Sequence, residues 1–158
     1  MAIKRFSITE LLISIVSTEL VGAASALISG GNFGVYYGTL TKPPVAPAGF
    51  VFPIAWTILY ALMGAAIYLI SISDSALKSK AYAFYTAQLV INFLWSPVFF
   101  GLKSLTGGVI LAVMLLILSV YTAILFFRIN KISLYLFMPY VIWNTYALYL
   151  SIGFYVLN

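Results

Sequence analysis

The 158-residue chain contains no cysteine and no histidine, and its only acids are Glu10, Glu19 and Asp74. The missing cysteines exclude disulfides and thiolate metal sites. Together with the missing histidines they exclude Cys- or His-based nucleophiles and His-ligated haem. Three carboxylates are too few for a carboxylate-rich metal centre, so neither a metal site nor a resident cofactor is expected. Charge is scarce altogether: 7% of residues are charged and 64% are hydrophobic, whereas soluble domains carry about 25% charged residues. The composition excludes a soluble domain, and the length suits a single domain, 1–158, without a separate soluble module.

What the chain has instead is long apolar runs. Residues 43–73, 81–102, 104–127 and 132–158 carry no charge, and 11–29 is interrupted only by Glu19. Each is long enough to cross a bilayer as a helix, which takes about 20 apolar residues. The expected fold is an all-α integral membrane bundle of five transmembrane helices, at about 6–29, 53–73, 81–102, 105–127 and 132–157. Lys4-Arg5, the apolar run and Ala24-Ser25-Ala26 have the look of a cleavable signal peptide. Glu19 breaks that pattern, so the segment is read as a retained first span.

The net charge of +5 does not indicate nucleic acid. Lys4, Arg5, Lys42, Lys78, Lys80, Lys103, Arg128 and Lys131 fall at the ends of the spans, as topology signals do. Six of them share the side of the N-terminus, the 74–80 loop and the 128–131 turn. The positive-inside rule then places the N-terminus in the cytoplasm and the C-terminus outside. Gly30-Gly31 are expected to end the first span. The segment 30–52 that follows, rich in glycine and proline, is read as a long outer loop with a functional role.

Helical spacing sorts the polar and aromatic residues into stripes. Trp56, Tyr60 and Met63 share one face of the second span. Asn92, Trp95, Ser96 and Phe99 share one of the third, and Trp143, Tyr146, Ala147 and Leu150 one of the fifth. Facing inward, the stripes form either an aromatic pocket for a flat apolar ligand or plain bundle packing. Asn92, an amide at mid-membrane depth, serves as helix–helix glue or as a ligand contact. Pro97 and Pro139 withdraw the helical donors of the Phe93 and Tyr135 carbonyls, giving packed kinks or a widened cavity. Glu19 is either a protonated side chain bonded to a neighbouring helix or the titrating group of a small secondary transporter. Glu10, nine residues away, lies on the opposite helix face. Gly22 and Ala26 form a small-xxx-small pair suited to close helix packing or dimerisation.

The run from Trp56 through Thr57, Tyr60 and Met63 to Gly64, followed by Tyr68, resembles the signature of the TspO/translocator protein family. These are the tryptophan-rich sensory proteins, related to the peripheral benzodiazepine receptor; the likeness is to a bacterial-type member. It continues through Lys42-Pro43 and Pro47, then Gln88, Asn92, Trp95, Pro97 and Phe99-Phe100-Gly101, and finally Pro139-Tyr140, Trp143, Ala147 and Leu150. The resemblance implies a five-helix bundle, often dimeric, that binds porphyrins, other tetrapyrroles and sterols, with the loop after the first helix as a lid. It implies Tyr36, Pro47, Trp56, Tyr60, Asn92, Trp95, Phe99, Trp143, Tyr146, Ala147 and Leu150 as ligand contacts. Some members are reported to degrade protoporphyrin IX in light, and by this likeness Trp56 and Trp143 would be the catalytic pair.

Two loop positions that are commonly tryptophan in the family are Tyr36 and Val45 here, which weakens the photochemical reading more than the binding one. The family's sterol motif is incomplete: Leu150 and Tyr155 are present, but no basic residue follows before Asn158. The sequence-level function is a membrane receptor, sensor or carrier for a porphyrin, metal-free because no histidine or cysteine is present to ligate haem iron. Light-dependent degradation and Glu19-coupled transport are the alternatives.

Overall fold

A computed structural model describes residues 6–29 and 33–158. The expected chain ending at Gly30-Gly31 and the topology signals Lys4 and Arg5 lie outside the described residues. The protein is an all-α, multi-pass integral membrane protein. Its five long apolar helices are α1 (Ile8–Ile28), α3 (Val51–Ile72), α4 (Lys78–Ser96, prolonged by a π-helical turn to Gly101), α5 (Leu105–Ile129) and α6 (Lys131–Leu157). Such spans satisfy every backbone donor internally, as the bilayer demands. Leu12, Ile13, Val16, Leu20 and Leu27 of α1 are all more than half exposed, as a lipid-facing stripe should be.

Local chemistry sets the helix ends. Ser7 caps α1 by accepting from the Glu10 amide, and its own amide donates to Tyr68 Oη at 2.6 Å. Ser104 caps α5 through Gly107 N, and Asn130 caps α6 through the amides of Ile132 and Ser133. α3 begins two residues before the expected Pro53, so the proline sits in the first turn, where no N–H is missed.

The expected irregular loop contains a short helix, α2 (Phe33–Thr39). No proline falls within it, and its glycines have open space around them. Tyr37 anchors it: the side chain is buried, its hydroxyl donates to the Pro47 carbonyl at 2.6 Å, and its ring meets Phe52 and Phe154 edge-on. The rest of the segment is fastened to α6. Tyr149 Oη donates to the Pro44 carbonyl, Tyr146 Oη to that of Val45, and the Asn158 amide exchanges two bonds with Thr41. Val45 sits at φ 57°, a left-handed conformation that a β-branched residue seldom adopts.

The helices close a ring in the spatial order α1, α3, α6, α5, α4, with α4 returning to α1. Small residues permit the closest approaches. An added Cβ at Gly64 would lie 2.5 Å from the Ile15 Cα, and one at Gly22 would lie 2.1 Å from Tyr60 Cε2. Gly22 thus serves packing within the chain. At the Pro97 break, the carbonyl of Phe93 is rescued by Ser25 of α1, which donates to it at 2.7 Å, and Ser29 bonds Ser96 one turn on.

Candidate functional site

A cavity of about 460 Å3 lies in the half of the bundle nearest α2, within the range of about 300–1,000 Å3 usual for small-molecule sites. Its existence follows from residue size. α1 presents Gly22, Ala23, Ser25, Ala26 and Ser29 to it, and these side chains fill little. Opposite stand Trp56 and Tyr60 of α3, Asn92, Trp95 and Phe99 of the α4 segment, and Trp143, Ala147 and Leu150 of α6. Each set recurs at helical spacing, so the facing wall is nearly all ring. Tyr37 from α2 and Phe52 from the start of α3 close the end towards the loop.

The rings contact one another around the cavity. Trp56 stacks on Tyr60 with centroids 5.3 Å apart and meets Trp143 edge-on at 6.4 Å. Trp95 stacks on Phe99 at 4.9 Å, and its indole N–H is held by the Gly108 carbonyl at 3.0 Å. The polar groups form one line across three helices. Tyr60 donates to Asn92 Oδ1, Asn92 Nδ2 donates to Tyr140 Oη at 3.2 Å, and Tyr140 donates to Gln88 Oε1. Asn92 is therefore helix–helix glue that also lines the cavity. Burial, with a smaller contribution from the Tyr146 phenol, pushes the Tyr37 phenol above its ordinary range, which keeps it a neutral donor to Pro47.

Of the eleven residues expected around a ligand, eight line this cavity: Trp56, Tyr60, Asn92, Trp95, Phe99, Trp143, Ala147 and Leu150. Three do not. Tyr36 points away from it, with its ring against the outer edge of Phe99 and its hydroxyl 3.4 Å from the Lys103 carbonyl. The neighbouring Tyr37 takes the inward place because a single helical step swings the side chain by about 100°. Pro47 contributes its carbonyl to Tyr37, and Tyr146 turns outward to bond Val45. Sequence reasoning missed Tyr37, Phe52 and Asn144, as well as the small-residue wall of α1. Glu19 stands on that wall, half-buried, with no hydrogen-bond partner among the described residues rather than a bond to a neighbouring helix.

Residues 14–157 match the TspO/MBR family. Protein CrtK of Rhodobacter capsulatus is 35% identical over 154 residues, covering 96% of this chain and 94% of its own length. Tryptophan-rich protein TspO of Archaeoglobus fulgidus is 32% identical over 152 residues, covering 96% and 99%. The human translocator protein is 26% identical over 115 residues, covering 71% and 68%.

Proposed function

The chain belongs to the TspO/MBR family, and on that premise we propose that it is a membrane receptor, sensor or carrier that takes a metal-free porphyrin into its aromatic cavity. The observation that carries this reading is the convergence of all three tryptophans, Trp56, Trp95 and Trp143, on one cavity. Flat macrocycles are held by offset ring stacking over large areas, and this wall offers that area from three helices. The chain offers no histidine or cysteine to bond a haem iron, so a metal-free macrocycle is the better match. It is bound as a ligand, not as a resident cofactor. The homodimer and the cytoplasmic N-terminus implied at sequence level belong to the same proposal.

The test is a dark titration of the purified, detergent-solubilised protein with protoporphyrin IX, followed by tryptophan quenching, with Trp143→Phe alongside. Saturable quenching, weakened about tenfold in the variant by loss of the larger stacking surface, supports the cavity. Absence of saturable binding overturns it.

A second reading, light-dependent degradation, is favoured by the edge contact between Trp56 and Trp143. Under illumination it predicts protein-dependent loss of the porphyrin absorbance bands, which a receptor or carrier leaves stable. Transport coupled to Glu19 is favoured by that residue's place on the cavity wall. Unchanged flux into proteoliposomes by Glu19→Gln removes it.

A further inference from the structure

The cavity opens sideways, and the one acid deep within a span stands at the opening. Ala23 and Ala26 of α1 and Pro53 and Thr57 of α3 line the cavity and are also exposed on the outside of the bundle. The space therefore reaches the bilayer between these two helices. Farther along the same seam, the approach of Gly64 to the Ile15 backbone closes it. Glu19, Gly22, Ala23 and Ala26 recur at helical spacing, so Glu19 belongs to the α1 stripe that forms one side of the mouth. It is half-buried, lines the cavity and has no hydrogen-bond partner among the described residues. The Trp56 and Tyr60 rings line the cavity with it, and the Tyr60 ring lies against Gly22, one turn along α1.

The described basic residues stand too far along their elements to neutralise this acid. Glu19 is at the middle of α1, whereas Lys42, Lys78, Lys80, Lys103, Arg128 and Lys131 lie in connecting segments or in the end turns of helices. An ionisable side chain inside a membrane is costly alone, and such residues mark ligand pathways or pair with an opposite charge. A carboxylate beside aromatic faces suits an ammonium group, which the acid holds by charge and the rings through their quadrupoles.

We propose that Glu19 is a specificity-determining contact for a protonated amine, and that the cavity takes flat aromatic amines from the bilayer through the mouth between α1 and α3. The ammonium rests on the Glu19 carboxylate, and the ring system lies among the aromatic side chains of the wall. An ionised Glu19 meeting an ammonium and a protonated Glu19 giving its proton to a neutral amine end in the same pair, so charge balances inside the membrane. The low dielectric there strengthens the attraction. The inference rests on the cavity of the proposed function and not on porphyrin as its occupant. It adds a selectivity for charge that ring stacking alone does not provide.

Two probes isolate that selectivity: 1-pyrenemethylamine and 1-pyrenemethanol share a ring system and differ only in the group at its edge. Each is titrated by tryptophan quenching in an uncharged detergent against the wild-type protein and Glu19→Gln, with protoporphyrin IX titrated against wild type as an independent check on the cavity. The wild-type protein is expected to bind the amine about tenfold more tightly than the alcohol, and the ratio is expected to fall to about one in Glu19→Gln. Without ligand, Glu19→Gln should melt no lower than wild type, since a neutral amide replaces an unpaired acid. Should glutamine prevent folding, Glu19→Met carries the same comparison with the same two outcomes. Equal wild-type affinity for the two probes overturns the proposal, as does a preference that survives in the variant. Protoporphyrin IX binding without an amine preference removes the amine and leaves the porphyrin reading standing. An amine preference that depends on Glu19, without saturable porphyrin binding, upholds the inference and overturns the porphyrin reading.

Discussion

The two halves of the bundle use the same helices and the same kinds of residue, and end in opposite states. In the half farther from α2, Met63, Ala66, Ile70, Phe126, Phe137 and Tyr140 have no exposed surface. Their rings lock together: Phe126 and Phe137 lie 5.1 Å apart, and Phe137 and Tyr140 5.2 Å. In the half nearer α2, rings of equal size surround empty space. The difference comes from α1. Its first half meets α3 backbone to backbone at Ile15 and Gly64, whereas its second half, beyond the Gly22 contact with Tyr60, presents Ala23 and Ala26 to aromatic walls held apart by their own stacking. Interiors pack to near-crystalline density unless a shape prevents it, so a void walled by rings on three helices is a built feature of this fold.

The sharpest way to break the comparison is to remove a ring from each half. Phe137→Ala should cost about 3–5 kcal/mol of stability, because the packed half cannot collapse around the hole. Trp143→Phe, on the cavity wall, should cost less than about 1.5 kcal/mol. Thermal unfolding in detergent measures both, and equal losses would mean that the two halves are packed alike. Adding a methyl group comes next. Gly64→Ala drives a Cβ towards the Ile15 backbone and should cost about 1–3 kcal/mol, with the same melting experiment as the check.

Smaller effects sharpen the account at the boundary between the halves. Tyr60→Phe removes the donor to Asn92 Oδ1 and should cost about 1 kcal/mol in the membrane interior. It should also weaken porphyrin binding less than Trp143→Phe does, which parallel titrations would read. The smallest effect is expected at the loop. Val45→Asn replaces a β-branched residue at φ 57° by one that tolerates the left-handed region, and should stabilise the protein by about 0.5–1 kcal/mol. A loss at this position would show that the Val45 side chain contributes a contact worth more than the backbone strain.

The five spans were legible because the bilayer imposes one rule, length without charge, on every segment. The stripe of Asn92, Trp95 and Phe99 was legible because all three are large or polar and recur at helical spacing. On α6 the same reasoning placed Tyr146 at the site and passed over Asn144. Both flank Trp143 on the helical wheel, and only packing decides which edge of the stripe turns inward. Tyr36 and Tyr37 differ by one residue in a segment whose glycines concealed a short helix, so the inward tyrosine could not be identified from spacing. The α1 wall was read as a packing pair, since small residues mark close approach and empty space alike.

The most direct test of the cavity half is to fill it. Ala26→Leu places a branched side chain on the α1 wall. The account predicts an unchanged melting temperature together with protoporphyrin IX binding weakened by about tenfold or more through steric exclusion. Wild-type affinity in a folded Ala26→Leu protein would contradict it, by showing that the porphyrin binds elsewhere than among these helices.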